Sequence, residues 1–210
     1  MMNQAKIKLL LTEMFPEARC ELVYQNDYEL LIATMLSAQT TDKKVNEVTK
    51  KLFSKYSLKE ISLLPLNVIE EIIRPIGTYK RKASYLKEIA ASLIKDHNGC
   101  VPNDRNYIES LPGCGHKTCN VVLSNLFDEN CVAVDTHVSR VSKRLGIAKE
   151  SDDVNIIESK ITKYFRNELK DLHHRLVLFG RYICLAKKPL CQNCKLYDYC
   201  KSKEKINLKG

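Results

Sequence analysis

The chain has 210 residues, of which 44% are hydrophobic and 28% are charged, with only seven Gly and six Pro. This composition excludes collagen-like and disordered proteins, and it suits one generous domain or two small lobes. The net charge of +9 favours a polyanionic partner, either nucleic acid or an acidic membrane surface, although charge spread over the surface for solubility gives the same total. Residues 181–210 hold eight Lys or Arg against two acids, so much of the excess lies there. Because we find neither an apolar run of membrane-spanning length nor a signal-peptide pattern, we expect a cytoplasmic protein without a targeting signal.

Helical periodicity, with apolar residues every three or four positions, accounts for almost every segment of the chain. Asp27 and Asp42 each precede such a segment and are the expected N-caps of the second and third helices. Only residues 131–134 resemble a strand, and four residues are too few to define one. The expected fold class is therefore all-α, with further helices at 1–15, 81–95, 117–126, 136–145, 154–165 and 172–184.

Four of the nine cysteines lie within seventeen residues, with gaps of six, two and five residues between Cys184, Cys191, Cys194 and Cys200. Four thiolates this close can surround one compact inorganic centre, and their spacing predicts a 4Fe–4S cluster. A structural zinc ion is the alternative, although zinc sites usually take two short Cys pairs and only one such pair is present here. The scattered cysteines are expected to be small buried hydrophobic residues, not disulfide partners; they are Cys20, Cys100, Cys114, Cys119 and Cys131.

Residues 111–118, Leu-Pro-Gly-Cys-Gly-His-Lys-Thr, are typical of a tight turn between two helices. Gly113 and Gly115 can adopt positive φ, which would let the backbone approach another molecule closely. The helix that follows offers N–H groups and the positive end of a dipole, which suit a phosphate. A generic turn between helices explains the same residues, so the hairpin alone leaves both interpretations open.

Combined with Lys117 and the segment 133–140 (Ala-Val-Asp-Thr-His-Val-Ser-Arg), this hairpin resembles the lysine-bearing branch of the helix–hairpin–helix DNA glycosylases. The segment 180–194 is similar to the cluster loop of the endonuclease III family, whose cysteine spacing it matches in full. Segments 36–42 and 76–83 resemble two further motifs of that family. The motifs follow the family's order over essentially the whole chain, so the chain resembles a member of the endonuclease III family.

The resemblance implies two catalytic residues, Lys117 and Asp135. A lysine amine can displace a base from the anomeric carbon of the sugar and form a Schiff base with the opened deoxyribose. A helix N-terminus and burial would both favour the unprotonated amine that this reaction needs. Asp135 would stabilise the developing cationic sugar and assist proton transfer, and it is also the expected N-cap of the helix that starts at Thr136.

The resemblance also implies contacts with DNA. Gln39 would fill the gap left by the flipped base, and Thr78 would be a second wedge, shorter and more polar than the Leu that familiar members have. Further contacts are expected from the hairpin glycines Gly113 and Gly115, from His137, and from Lys187 and Lys188 in the cluster loop. Leu190 stands where many relatives carry a basic residue, which predicts a weaker contact at that position.

Together these motifs predict a base-excision repair enzyme: a DNA glycosylase that releases oxidised or ring-saturated pyrimidines, and an AP lyase that cuts by β-elimination through a Lys Schiff base. Its expected partner is double-stranded DNA with damaged bases or abasic sites, its cofactor one 4Fe–4S cluster, and its state a nucleoid-associated monomer without membrane contact. The implied domains are a six-helix barrel with the helix–hairpin–helix at 22–132 and an iron–sulfur cluster domain at 1–21 and 133–210, with the active site in the cleft between the two lobes.

Three alternatives stay open. The adenine glycosylase branch lacks the catalytic lysine, carries an essential acid where this chain has Thr34, and has an added C-terminal domain. A thymine mismatch glycosylase usually replaces the lysine too. A non-catalytic DNA-binding iron–sulfur redox protein would need neither Lys117 nor Asp135.

Overall fold

The computed structural model describes residues 2–205, apart from the side chain of Met2, and all regular structure in that range is helical. The expected all-α class is confirmed, and residues 131–135 run between helices without joining a strand. No described helix is both long and apolar enough to cross a membrane. The helices are α1 (Met2–Met14), α2 (Asp27–Leu36), α3 (Asp42–Phe53), α4 (Leu58–Leu63), α5 (Leu66–Ile73), α6 (Tyr79–His97), α7 (Arg105–Ser110), α8 (His116–Phe127), α9 (Thr136–Arg144), α10 (Val154–Phe165) and α11 (Leu169–Tyr182), followed by 3₁₀ turns at Cys191–Asn193 and Tyr197–Tyr199.

Two helices begin one residue earlier than their expected caps imply. Asn26 occupies the N-cap position of α2, and the Asp27 carboxylate instead accepts a hydrogen bond from the Val101 amide at 2.6 Å. Thr41 caps α3 by accepting from the Lys44 amide, which leaves Asp42 as the first helical residue. Both predicted caps were therefore wrong by one position. An acid in the first turn still stabilises the helix through the dipole, and this explains why the sequence signal is similar.

The chain divides into two compact units. The continuous unit is Cys20–Phe127, and the two-part unit combines Met1–Arg19 with Asp128–Gly210. In the continuous unit α2 packs against α3, α6 and α8, while α4 and α5 pack against α6. Its interior is formed by fully buried aliphatic side chains, among them Leu30, Leu31, Ile61, Ile69, Leu86 and Ile89.

The two-part unit is built around α9 and α11, with α1 and α10 packed against them. Residues from both ends of the chain share its core, including Ile7 and Leu11 of α1 and Phe165 and Phe179 further along. A Cβ at Gly180 would lie 2.9 Å from the Cβ of His137. Only glycine therefore lets α11 approach α9 this closely, and this close approach sets where the cysteine-rich segment begins.

Candidate functional site

The expected hairpin is present as α7, a turn over residues 111–115, and α8. Gly113 has φ +76°, and a Cβ there would lie 2.7 Å from the Tyr85 ring and 3.1 Å from Met35 Cγ. Glycine is therefore required both by the left-handed backbone conformation and by the lack of room for a side chain. Gly115 lacks positive φ, and a Cβ there would meet nothing within 4 Å. The expectation of positive φ is thus confirmed for Gly113 and wrong for Gly115.

Lys117 is the second residue of α8, at the helix N-terminus where the sequence placed it. Its side chain is exposed, so the burial expected for it is not found in the protein alone. The preceding residue, His116, lies with Nδ1 3.0 Å from the Glu109 carboxylate of α7. Because its side chain is exposed, the amine of Lys117 is accessible to a molecule that approaches the hairpin.

Asp135 is half-buried and caps α9, as expected: its Oδ1 accepts a hydrogen bond from the Val138 amide at 2.7 Å. The three residues before it, Val132–Val134, are buried in the two-part unit and fix the path of the chain into α9. The cap and this buried segment together hold the carboxylate at the N-terminal end of α9.

One turn into α9, His137 and Arg140 lie side by side, with Arg140 Nη2 3.2 Å from His137 Nδ1. Arg140 also donates to the carbonyl oxygens of Gly180, at 2.7 Å, and Cys184, at 3.0 Å. His137 is half-buried. The arginine thus ties the start of α9 to the end of α11 and the first cysteine of the cluster segment.

Arg144, on the same face one turn later, extends these contacts. It is 7% exposed, donates to the Leu185 carbonyl at 2.7 Å, lies 3.3 Å from Cys184 Sγ, and pairs with Glu204. Sequence reasoning missed the structural role of both arginines. Their i, i+4 spacing on one helix face was the available signal, but it did not indicate which carbonyl groups they would reach.

The four clustered cysteines line one cavity, together with the side chains of Phe179, Leu196 and Leu190. No three described His, Cys, Asp or Glu side chains are placed around a single-ion position. Burial raises the pKa of Cys184, and it raises that of Cys194 to about 11. Cysteine binds a metal as the thiolate, so metal uptake at these thiols releases protons. The donor set and the largely apolar wall fit a compact iron–sulfur centre.

Leu190 belongs to this wall as well as to the loop between the first two cysteines. The Leu190 amide donates to the Ile183 carbonyl at 2.9 Å and closes that loop. Lys187 and Lys188 are exposed on it, and Lys188 has φ +51°. The loop therefore presents two cations at its surface while Leu190 faces the cavity.

Gln39 and Thr78 share an unusual backbone conformation. Both are exposed, and both are left-handed, with φ +57° and +56°. The Thr78 hydroxyl donates to the neighbouring Gly77 carbonyl at 2.7 Å. Left-handed backbone is uncommon in non-glycine residues and an outlier for a β-branched one, and it costs about 1–3 kcal/mol. The two residues that the resemblance singles out as wedges are thus both held in strained conformations.

None of the nine cysteines forms a disulfide, as expected. Cys114 and Cys119 are buried, in agreement with the prediction for the scattered cysteines. Cys20 and Cys131 are half-buried, and Cys100 is exposed, so the prediction was wrong for Cys100.

Comparison with known proteins places this geometry in a family. Residues 32–167 match the HhH-GPD superfamily base excision DNA repair protein, and residues 184–200 match the iron–sulfur binding domain of endonuclease III. Endonuclease III of Bacillus subtilis (strain 168) is 44% identical, with 100% of this chain and 98% of that protein covered. Endonuclease III of Escherichia coli (strain K12) is 42% identical, with 99% and 100% covered.

Solved structures agree with the sequence relatives. A trapped endonuclease III–DNA covalent intermediate matches with a TM-score of 0.88 and 46% identity over 94% of this chain and 95% of that one. A thermostable thymine-DNA glycosylase matches with a TM-score of 0.83 and 27% identity over 97% of both chains.

The helix–hairpin–helix and the family match define a base excision DNA repair protein of the HhH-GPD superfamily. With relatives above 40% identity over their full length, the chain belongs to the endonuclease III family. Its enzyme class is accordingly DNA glycosylase and AP lyase, and its C-terminal segment is an iron–sulfur binding domain.

Proposed function

We propose that the enzyme releases oxidised or ring-saturated pyrimidines from double-stranded DNA and cuts the strand at the resulting abasic site, with Lys117 as nucleophile. The observation that carries this proposal is the exposed Lys117 side chain on the second residue of α8, directly after the hairpin turn. A nucleophile there is accessible to the sugar of a nucleotide whose phosphate is held by the hairpin. An endonuclease III has been trapped as a covalent intermediate with DNA, which supports the same chemistry for this relative.

In the proposed reaction the Lys117 amine bonds to the anomeric carbon, and the damaged base leaves with the electron pair of the glycosidic bond. Ring opening gives a Schiff base between Lys117 and the deoxyribose. Loss of a proton from the adjacent sugar carbon then expels the 3′ phosphate by β-elimination, and hydrolysis restores the amine. The reaction needs no external oxidant or reductant.

Asp135 is proposed to stabilise the positive charge that develops on the sugar and to assist proton transfer. Its carboxylate is held in place by the Val138 amide, so little reorganisation is needed when that charge appears. The proposal requires Lys117 and Asp135 to act on the same nucleotide. We also propose the two domains that the family resemblance implies, a barrel at 22–132 and a cluster domain at 1–21 and 133–210.

The remaining expected DNA contacts form part of the proposal. The Gly113–Gly115 turn and the first amides of α8 would hold a phosphate, and Gln39 and Thr78 would enter the duplex where the nucleotide leaves it. His137 would contact DNA beside its partner Arg140.

The proposed cofactor is a single 4Fe–4S cluster held by the four cysteines that line the cavity. When bound, it would serve as a structural centre that fixes the shape of the cluster loop, and the protein would work as a monomer on damaged or abasic duplex DNA of the nucleoid. Lys187 and Lys188 are exposed on that loop, so its shape determines where two cations meet the phosphates.

A panel of lesion duplexes, quenched with borohydride, tests the proposed substrate and chemistry together. Duplexes carrying an oxidised pyrimidine, a ring-saturated pyrimidine or an abasic site should give a covalent adduct and a cut strand, whereas undamaged duplex should give neither. Duplexes that carry a mismatched adenine or a mismatched thymine serve as the comparison. Base release from those mismatches alone, without an adduct, would replace this proposal with one of the mismatch glycosylases.

The cluster loop predicts a specific salt dependence of DNA binding. The slope of log K against log salt concentration is negative, and replacing Lys187 and Lys188 together with Gln should reduce its magnitude by about 1.8, because each lost phosphate contact contributes about 0.9. Fluorescence anisotropy on an abasic-analogue duplex measures the slope. The matched control replaces two adjacent exposed lysines of α3, Lys50→Gln with Lys51→Gln, and should keep a steeper salt dependence than the loop variant has. Equal slopes for the two double variants would show that the cluster loop makes no specific contribution to phosphate binding.

A further inference from the structure

Lys82 is a buried cation in the continuous unit, on α6, with 5% of its surface exposed. Its ammonium donates to the carbonyl oxygens of Leu36, at 2.8 Å, and Ala38, at 2.7 Å, and lies 3.4 Å from Thr40 Oγ1. Within the described residues no carboxylate lies within ion-pair distance of it. Three acceptors use the three N–H groups of an ammonium, so the charge is solvated entirely by one short segment of backbone and one hydroxyl.

That segment is the turn that carries Gln39. The Thr40 amide donates to the Ser37 carbonyl at 3.0 Å, which closes the turn with Gln39 at its third position. The orientation of the peptide between Ala38 and Gln39 determines whether φ at Gln39 is positive or negative. Lys82 holds the oxygen of that peptide, and it is therefore placed to hold Gln39 at φ +57°.

The position of Lys82 in its own helix is unfavourable for a cation. It is the fourth residue of α6, close to the positive end of the helix dipole and directly after Lys80 and Arg81. Burial lowers its pKa, and the neighbouring Arg81 charge lowers it further. The C-terminal end of α2 offsets this, because Leu36 ends that helix and its carbonyl belongs to the negative end.

Lys82 also connects the two wedge candidates through the backbone. Its amide donates to the Thr78 carbonyl at 3.1 Å, which starts α6 directly after the left-handed Thr78. One residue thus contacts the turn that carries Gln39 with its side chain and Thr78 with its amide.

We propose that Lys82 is a positioning residue: it holds the Ala38–Gln39 peptide so that Gln39 is preformed for the gap that an extruded nucleotide leaves. This inference rests on the proposed function of Gln39 and adds to it the group that maintains the strained backbone. Without Lys82 the turn relaxes, and only a fraction of molecules present Gln39 in the binding conformation. The apparent preference for DNA with a gap is then multiplied by that fraction.

The measurement is the ratio of affinities for two duplexes, one with an abasic analogue and one undamaged, by fluorescence anisotropy. Lys82→Met keeps an unbranched side chain that is one atom shorter and removes its donors, and it should lower the ratio about tenfold because the left-handed turn is no longer held. Lys82→Arg retains a charged donor and should recover part of the ratio. Lys80→Met and Arg81→Met, exposed neighbours on the same helix, should weaken both affinities together and leave the ratio unchanged.

A double-mutant cycle with Gln39→Ala separates positioning from general stabilisation. If Lys82 acts through Gln39, Lys82→Met should have no further effect on the ratio in the Gln39→Ala background. Additive effects would overturn the inference, as would a normal ratio in Lys82→Met when Gln39→Ala lowers it. A normal ratio in Gln39→Ala would overturn the proposed role of Gln39 and the inference with it. Lys82→Gln, which retains two donors on a shorter chain, takes the place of Lys82→Met in the same cycle if the latter does not fold.

Discussion

In the Lys117→Ala variant we expect no borohydride adduct with an abasic duplex and a rate of strand cutting lower by at least about 10³-fold. The reason is that Lys117 supplies the amine of the Schiff base, and its neighbours His116 and Thr118 point elsewhere around α8. DNA affinity should fall little, because the hairpin amides and Gly113 are unchanged. Single-turnover cutting and trapping, with affinity measured in parallel, test this.

Asp135→Asn provides the contrasting variant for the same experiment. Asn is as good an N-cap as Asp, so the bond from the Val138 amide and the fold should persist. Loss of the negative charge should slow base release by about 10²–10³-fold, because the carboxylate acts on charge that develops in the transition state. Trapping on a preformed abasic site should survive better than base release.

Lys59→Ala is the matched control for Lys117→Ala, since Lys59 is also an exposed second residue of a helix, α4. It should trap and cut at the normal rate. Normal trapping by Lys117→Ala would mean that another amine performs the chemistry, and the assignment of Lys117 would be withdrawn.

The second large effect is expected at the cluster. Purified protein should be yellow-brown and contain iron and sulfide in equal amounts, whereas Cys194→Ser should lose most of both, because a hydroxyl is a poor ligand for iron in such centres. Ligation and folding are coupled in metal sites of this kind, so we expect the free energy of unfolding of the two-part unit to fall by at least about 3 kcal/mol, or about 12–24 °C in Tm for a unit of about 100 residues. Metal analysis, visible absorbance and circular dichroism measure these changes.

Cys100→Ser is the matched control for that variant, since Cys100 is exposed and lies outside the cysteine-lined cavity. It should retain full iron, sulfide and thermal stability. One zinc and no iron in the unmodified protein would exclude the cluster and restore the structural zinc alternative.

Local sequence signals predicted the features that depend on local chemistry. The helical class, the Asp135 cap and the left-handed Gly113 all follow from the residue and its immediate neighbours. The same reasoning failed by one position at Asp27, because Val101, seventy-four residues away, uses its carboxylate. Cap signals in sequence cannot distinguish an N-cap from a first-turn acid, since both positions favour a carboxylate.

Features that depend on distant contacts could not be predicted. Lys82 appears in the sequence as one of three consecutive cations, and only the fold shows that it alone is buried, against carbonyls more than forty residues earlier. Leu190 appears in the sequence as a lost basic contact, and the structure places it in the wall of the cysteine-lined cavity. The sequence alone does not show whether a basic side chain contacts solvent, a phosphate or a carbonyl oxygen.

The assembly of one unit from both ends of the chain affects the order in which the two units can fold during synthesis. The ribosome completes the continuous unit as an uninterrupted stretch, so it can fold while synthesis proceeds. Ile7 and Leu11 of α1 share their core with Phe165 and Phe179, which are synthesised about 160 residues later, roughly ten to thirty seconds at ordinary elongation rates. During that interval the core around Ile7 and Leu11 is incomplete, so the two-part unit can close only after the continuous unit has been synthesised.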